Sequence, residues 1–255
     1  MSSNYQLELN VSPVLDAERA NYFQSQIGVL RWAVEIGRID IMCEVSMLSS
    51  FLAMPREGHL AAVFHIFGYL KSHHNFNNDA DWTDLYGDVT IPPNAPAPRG
   101  KVVEILAFVN ADHARDRVTC CSRTGILIYG NCSPIMWFSK RQNSVETSTF
   151  GSEFVALKIA TEMIQGLQYK LRMMGILIDG PARVLCDMSV VYNTTAPESV
   201  LKKKSNAIAY HFVQESVAMK VIKNAYEPSE SNSADILTKV QSGPMRQAII
   251  RSILW

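Results

Sequence analysis

Apolar side chains in the first 74 residues recur at helical spacing, which predicts a small helical unit. The first helix is predicted over 16–36, beginning at an aspartate cap. The second is expected to begin at Asp40, as its cap, and to stop before Pro55, and the third is expected to span 58–71. We expect these helices to pack around three large side chains: Trp32, Leu48 and Phe67.

Residues 75–100 interrupt the helical pattern. The stretch Asn75–Asp79 is rich in turn-forming residues, and four prolines then follow within seven residues: Pro92, Pro93, Pro96 and Pro98. Each proline removes a backbone donor and disfavours helix at the residue before it. We interpret 75–100 as an extended linker on the surface, which places the domain boundary near Gly100.

From residue 101 onward, strand-like runs come first and helices then alternate with strands. Three short runs joined by short links indicate an antiparallel meander. The predicted bounds, in order, are strands at 102–109, 125–129 and 135–138, a helix at 149–173, a strand at 183–186, a helix at 206–221, a short strand near 225–226 and a helix from 234. This order predicts an α/β domain over 101–255, with a mixed five-stranded sheet flanked by helices.

Composition adds that the chain is a folded protein. Hydrophobic residues make up 47% of it and charged residues 19%, which excludes a disordered chain. No apolar run reaches the roughly 18 residues of a membrane span, and the first residues lack the basic and apolar regions of a secretory signal. We therefore expect a cytoplasmic or nuclear protein with no membrane partner. The five cysteines lack metal-ligand spacing and are expected to be reduced thiols.

The formal net charge of zero conceals an asymmetry between the two parts of the chain. Residues 1–100 carry 6 basic and 11 acidic side chains, whereas residues 101–255 carry 18 basic and 13 acidic ones. The second part is thus the better candidate for contact with phosphates. Its basic runs are Lys140-Arg141 and Lys202-Lys203-Lys204. These runs either contact a nucleic-acid backbone or form a solvated surface.

Three acidic side chains and one amide stand where predicted elements begin or end. Asn110 ends the first strand, Glu153 lies on the long helix, Asp187 ends the fourth strand, and Asp235 opens the last helix. Clustered carboxylates of this kind can hold two hard cations about 3.5–4 Å apart. Each acid also has a purely structural explanation, since acids favour helix N-termini and cap helices.

Several runs of sequence resemble a known family. The runs in the second part are Thr124-Gly125, Trp137-Phe138-Ser139-Lys140-Arg141-Gln142, Ser152-Glu153-Phe154-Val155-Ala156-Leu157 and Ala234-Asp235-Ile236-Leu237-Thr238-Lys239. Together they resemble the ribonuclease H domain of copia-type LTR retrotransposon polyproteins. The runs Ser25–Trp32 and Gly37–Ile41 resemble the region of the same polyproteins between polymerase and ribonuclease H. The resemblance implies a ribonuclease H-like fold in which residues 1–74 are a thumb- or connection-like subdomain.

The resemblance also implies a function, which is hydrolysis of the RNA strand of an RNA–DNA hybrid with two Mg²⁺ ions. Glu153, Asp187 and Asp235 match three of the family's metal-binding carboxylates. Position 110 matches the aspartate that bridges both metals, and Asn110 there predicts impaired metal binding and impaired hydrolysis. Asp112 shares a strand face with it, but lies about 6.5 Å further along the strand and is expected to be a weak substitute.

Two further expectations follow from the resemblance. The polymerase signature of the family, a pair of aspartates, is absent from this sequence, so no polymerase activity is expected, and the upstream polymerase domains of the parent polyprotein would be partners. The alternative to an impaired nuclease is a catalytically dead nucleic-acid-binding relic or a retroelement fragment without function.

Overall fold

The computed structural model describes residues 6–73, 102–195, 204–241 and 243–254. The predicted linker at 75–100 lies outside these residues, as do Lys202 and Lys203. Within them the helices are α1 (Ala17–Glu35), α2 (Met42–Leu48), α3 (Glu57–Ser72), α4 (Thr149–Met173), α5 (Met188–Thr195), α6 (Lys204–Ala218) and α7 (Gly243–Leu254). The strands are β1 (Ile105–Asp112), β2 (Arg123–Gly130), β3 (Ser133–Arg141), β4 (Ala182–Cys186) and β5 (Ile222–Tyr226).

The helical unit forms its own core, but two expectations about it were wrong. Trp32 is 65% exposed, because it lies two residues after Leu30 and a helix turns by about 100° per residue, which carries it to the opposite face. Asp40 does not cap α2. It lies in the 3-10 turn Ile39–Ile41, and its side chain pairs with Arg38 at 2.7 Å. The buried core instead contains Phe23, Ile27, Leu30, Leu48 and Val63.

The sheet has the strand order β3-β2-β1-β4-β5. Strands β1, β2 and β3 are antiparallel neighbours, whereas β4 pairs in parallel with both β1 and β5. The structure thus confirms the mixed five-stranded sheet with flanking helices of a ribonuclease H-like fold. Strand β1 begins three residues later than predicted, since Val103 forms only an isolated bridge with Ile178, and it extends to Asp112.

Alternate side chains of β1 enter different cores. Ala107 and Val109 lie in the core that α4 covers, whereas Leu106 and Phe108 contact the core formed by α7 and the 3-10 turn Ser233–Leu237. Because side chains alternate along a strand, Asn110 shares the second face with Phe108. The sheet therefore directs Asn110 toward the 3-10 turn.

The end of the chain differs from the prediction. Instead of one helix from residue 234, a 3-10 turn at Ser233–Leu237 precedes α7. Pro244 explains the interruption, because a proline inside a continuous helix removes a hydrogen bond and clashes with the preceding turn, whereas it is tolerated in a first turn. Helix α5, directly after β4, was not predicted. No helix in the described ranges is both long and apolar enough to cross a membrane.

The helical unit and the sheet meet along a seam, where α2 lies against β3 and α7. Ser46 Oγ donates to the carbonyl of Ser139 at 2.8 Å. Arg246 of α7 donates to Glu44 at 2.5 Å and to the carbonyl of Asp40. Trp137 of β3 contacts the cores on both sides of the seam. These polar and apolar contacts hold the two parts of the molecule together.

Candidate active site

The residues singled out from the sequence stand at one edge of the sheet. Asn110 lies near the end of β1, Asp187 follows β4, and these two strands are parallel neighbours whose carboxyl ends share an edge. Glu153 lies in the first turns of α4, which begins at a cap where Ser148 accepts from the Gly151 N–H at 3.1 Å. The fourth position, Asp235, approaches from the 3-10 turn. The fold therefore brings these side chains together from four separate segments.

Asn110 bonds directly to Asp235. Its Nδ2 donates to Asp235 Oδ1 at 2.7 Å and to Thr238 Oγ1 at 3.2 Å. The Thr238 hydroxyl donates to the Asp235 carbonyl, so it is free to accept from the amide. A flipped amide would bring the Asn110 oxygen against a carboxylate, and this orientation is therefore the one that the chemistry requires.

Asn232 fixes the 3-10 turn that carries Asp235. Its Nδ2 donates to the carbonyl of Val109 at 2.9 Å, and its Oδ1 accepts from the Ala234 N–H at 3.0 Å. One side chain thus joins the backbone of β1, next to Asn110, to the start of the turn. Sequence reasoning missed this residue, although an asparagine just before a helical turn is a common N-cap.

Asp235 is buried, with a residue exposure of 2%, and three groups surround its carboxylate. Asn110 and Lys239 Nζ, the latter at 2.8 Å, both contact Oδ1, and Gln241 donates to Oδ2. Both oxygens therefore have protein donors, and the ammonium group balances the charge. Lys239 belongs to one of the runs that resemble the family, but the sequence pattern gave it no role, and no motif pointed to Gln241.

The carboxyl group of Glu153 differs from that of Asp235, because it is buried beside other acids. Burial raises its pKa to about 8, opposed by a hydrogen bond from the Ala111 N–H, and the negative charges of Asp187, Asp235 and Asp112 raise the pKa further. Its Oε2 is buried without a hydrogen-bond partner in the described residues. A carboxyl group with this pKa is protonated in most molecules at neutral pH.

Asp187 and Asp112 both have protein partners. Asp187 caps α5, because its Oδ1 accepts from the N–H of Ser189 at 2.9 Å and from the hydroxyl at 2.6 Å. Asp112 pairs with Arg115 at 3.2 Å. Burial raises the pKa of Asp112, whereas Arg115 and Lys239 oppose that rise. Asp112 therefore lies near the other acidic residues of the site, but its carboxylate is already paired with Arg115.

Two more residues of the recognised motifs support the site. Gln142 is buried, and its Nε2 donates to Thr124 Oγ1 at 3.0 Å and to the carbonyl of Ser152 at 2.9 Å, which ties β2 to the turn that carries Glu153. Gly125 lets the 3-10 turn approach β2 closely. A Cβ at this position would lie 2.7 Å from the Ala234 carbonyl oxygen.

The basic side chains are further away. Lys140 and Arg141 lie on β3, two strands from β1, where Lys140 is exposed and Arg141 pairs with Asp116 at 3.3 Å. Lys204 begins α6, but its side chain lies outside the described residues, as do Lys202 and Lys203. The structure therefore does not bring Lys140 or Arg141 into contact with the acidic group.

The described residues do not fit a two-metal site as they are arranged. In the described ranges, no group of three or more Asp, Glu, His or Cys side chains has the spacing to hold a metal ion. Asp235 already accepts from Lys239, Asn110 and Gln241, and the amide of Asn110 presents a donor where a cation needs an oxygen ligand. We therefore derive no metal-dependent step for this chain.

Comparison with known proteins gives relatives over most of the chain. No family model matches it. The retrovirus-related Pol polyprotein from transposon RE1 of Arabidopsis thaliana is 27% identical over 218 residues, which is 85% of this chain and 14% of that polyprotein. The Pol polyprotein from transposon RE2 of the same plant is 25% identical over 232 residues, or 91% of this chain and 15% of the relative. The chain thus spans about one seventh of the length of these relatives.

Among solved structures, the chain is similar to LC11-RNase H1 in complex with an RNA/DNA hybrid, with 17% sequence identity and a TM-score of 0.42. That similarity covers 53% of this chain and 94% of LC11-RNase H1.

Proposed function

Since the chain is a relative of copia-type retrovirus-related Pol polyproteins, we propose that it is the ribonuclease H part of a retroelement reverse transcriptase with impaired hydrolysis. Its ligand is an RNA–DNA hybrid, and the RNA strand is the one that an intact site would cut. Residues 101–255 form the nuclease domain, residues 1–74 correspond to the connection region, and 75–100 link the two. The upstream polymerase domains of such a polyprotein are its natural partners, and this chain does not polymerise DNA.

The observation that carries the proposal is the hydrogen bond from Asn110 to Asp235. A carboxylate at position 110 would help to hold the Mg²⁺ ions of an active member of the family. An amide is neutral, and here it donates to the neighbouring carboxylate instead of repelling it. The pairing of Asp235 with Asn110 and Lys239 is therefore stable without a metal, which supports loss of the metal-dependent reaction.

Glu153, Asp187 and Asp235 correspond to the three other metal-binding carboxylates of the family, although their arrangement in the described part of this chain does not fit a metal site. Asp112 is a weak substitute for the missing one, because Arg115 already holds it. The same network favours the second candidate, a hybrid-binding relic without catalysis, because Lys140 and Arg141, which would contact phosphates, lie two strands away from Asn110.

The test uses the purified chain and a labelled RNA–DNA hybrid. We expect the hybrid to bind more tightly than single-stranded RNA of the same sequence, with cleavage near background in Mg²⁺ or Mn²⁺. Strong cleavage by the unaltered chain would show that its hydrolysis is not impaired. Equal affinity for the hybrid and the single strand would overturn the assignment as a hybrid-specific domain.

A further inference from the structure

A cleft runs along the seam between the helical unit and the sheet. It consists of a cavity of about 510 Å³ between α1, α2 and β3 and a second cavity of about 170 Å³ beside the loop that follows β1. The two cavities meet at Ser50 and Arg141, which line both of them. We call this feature the seam cleft. It is separate from the carboxylates at the end of β1, and the proposed function uses only Lys140 and Arg141 of its lining.

The seam cleft contains positive charge that the described residues do not balance. Arg31, Arg123 and Lys140 line it and form no ion pair within the described ranges. Two of them bond to serine hydroxyls instead. Arg31 Nε donates to Ser49 at 3.1 Å, and Arg123 Nη1 donates to Ser46 at 2.7 Å.

A hydroxyl group orients a guanidinium without neutralising it. Burial lowers the pKa of Arg123, which the nearby carboxylates of Asp112 and Asp116 oppose, whereas Arg31 is exposed. Arg115 and Arg141 also line the cleft, although each pairs with an aspartate. The acidic side chains in the lining are Glu8, Glu35 and Asp116. With Asp112, which pairs with Arg115 from outside the lining, five basic and four acidic groups leave the cleft with one net positive charge.

The apolar part of the lining suits a nucleotide strand. Val34, Met42 and Phe138 form part of the wall of the larger cavity, and the cations stand beside them. A basic groove with an apolar or aromatic wall is the arrangement with which proteins hold a nucleic-acid strand, because cations contact the phosphates while sugars and bases pack on the wall.

The seam cleft approaches the acidic group from the side. Ser139 of its wall pairs in register with Gly125, and Gly125 pairs with Asn110. Two strand spacings separate Ser139 from Asn110, which is about 10 Å. On the other side, Arg115 of the smaller cavity pairs with Asp112. A strand lying in the cleft would therefore pass close to the end of β1.

We propose that the seam cleft binds the phosphodiester backbone of one strand of the hybrid, with Arg31, Arg123 and Lys140 as its phosphate contacts. This inference rests on the proposed function and deepens it, since it makes the helical unit half of the binding surface. It predicts that the site extends well beyond the acidic edge and that both parts of the chain are needed for full affinity.

The test compares two double variants with the same loss of charge. Arg31→Gln with Lys140→Gln removes two exposed cations of the cleft, and Arg172→Gln with Lys170→Gln removes two exposed cations at the end of α4 as the control. Binding of a labelled hybrid is followed by fluorescence anisotropy as a function of salt. A phosphate contact contributes roughly 0.7–0.9 to the slope of log affinity against log salt, so we expect the cleft variant to lose between about 1 and 2 in slope and at least about fivefold in affinity.

The outcomes separate the cleft from the proposed function. Loss of affinity and slope in the cleft variant, with the α4 control unchanged and equal melting temperatures, supports the inference. Equal losses in both variants, or no loss in either, overturn the cleft while hybrid binding by the unaltered chain still supports the proposed function. If the unaltered chain binds only single strands, and the cleft variant loses that binding, the proposed function fails and the cleft stands. If poly-glutamate displaced the labelled hybrid as well as unlabelled hybrid does, the cleft would bind an acidic protein and the proposed nucleic-acid contact would be wrong.

Discussion

Asn110 and Asp235, which are 125 positions apart in the sequence, share a hydrogen bond of 2.7 Å in the interior of the candidate site. The bond joins the end of β1 to the 3-10 turn, and Lys239 completes the charge balance around Asp235. A cluster that would otherwise be held apart by negative charge is therefore stabilised by groups of the protein itself. This arrangement determines how the site should respond to substitution and to pH.

Restoring the acid at position 110 should destabilise the chain when no divalent cation is present. In Asn110→Asp a donor becomes a second carboxylate against Asp235, which should cost about 1–3 kcal/mol in the free energy of unfolding. Thermal unfolding in EDTA measures the loss. Asn224→Asp is the matched control, because this buried amide donates to a neutral group, the Thr194 hydroxyl, instead of a carboxylate. Addition of Mg²⁺ should recover more stability in Asn110→Asp than in the unaltered chain or the control, and an equal response would contradict the prediction.

The same substitution should increase hydrolysis. If the missing carboxylate is the main defect, Asn110→Asp should cleave a labelled RNA–DNA hybrid at least about tenfold faster than the unaltered chain, which corresponds to about 1.4 kcal/mol in the barrier. The gain should disappear when Asp187→Asn is added. Cleavage that stays at background after the reversion would show that Lys239 and Gln241 hold Asp235 too firmly, or that the site has decayed more widely.

Stability should fall with rising pH through Glu153. Its pKa is raised to about 8 in the folded chain, against about 4.3 in an unfolded one, so the folded state binds the proton more tightly. This contribution is fully present below about pH 4.3 and is lost as the pH rises through about 8.

Glu153→Gln removes this titration, so the variant should gain stability relative to the unaltered chain between pH 5 and 8. The free energy of unfolding should rise by at most roughly 1.4 kcal/mol for each unit of pH. Unfolding by urea in EDTA at several pH values measures the gain. Glu162→Gln on the same helix, a half-exposed residue, is the control. A constant difference across this pH range would show that Glu153 does not titrate as described.

Gly125→Ala should displace the turn that carries Asp235. The new Cβ would lie 2.7 Å from the Ala234 carbonyl oxygen, and this contact is with backbone, which cannot rotate away. We expect a loss of about 1–3 kcal/mol in the free energy of unfolding. Gly166→Ala is the matched control, because nothing lies within 4 Å of its added Cβ in the middle of α4. That control should gain up to about 1 kcal/mol, since alanine favours helix. Similar behaviour of the two variants would exclude a steric cause.

The sequence by itself determined the local elements and their order. The bounds of α4 were predicted as 149–173 and found there, because its signals are local: a serine cap, a helical period and Gly175, which has a φ of +76° just beyond the end. The antiparallel order of β1 to β3 also follows from short links between strand-like runs. Asn110 near the end of β1 and Asp187 after β4 could be placed at one edge because parallel neighbouring strands share it.

Only the tertiary structure decided what surrounds the residues of the candidate site. The pairing of Asp235 with Asn110, Lys239 and Gln241 depends on where a 3-10 turn packs on β2, and no local pattern encodes that contact. The exposure of Trp32 depends likewise on which side of α1 meets the rest of the protein. The seam cleft exists because α2 packs against β3, and these two elements are far apart in the sequence. Periodicity specifies which face of an element is apolar, but the partner of that face, and the charge enclosed beside it, is set by packing across the whole chain.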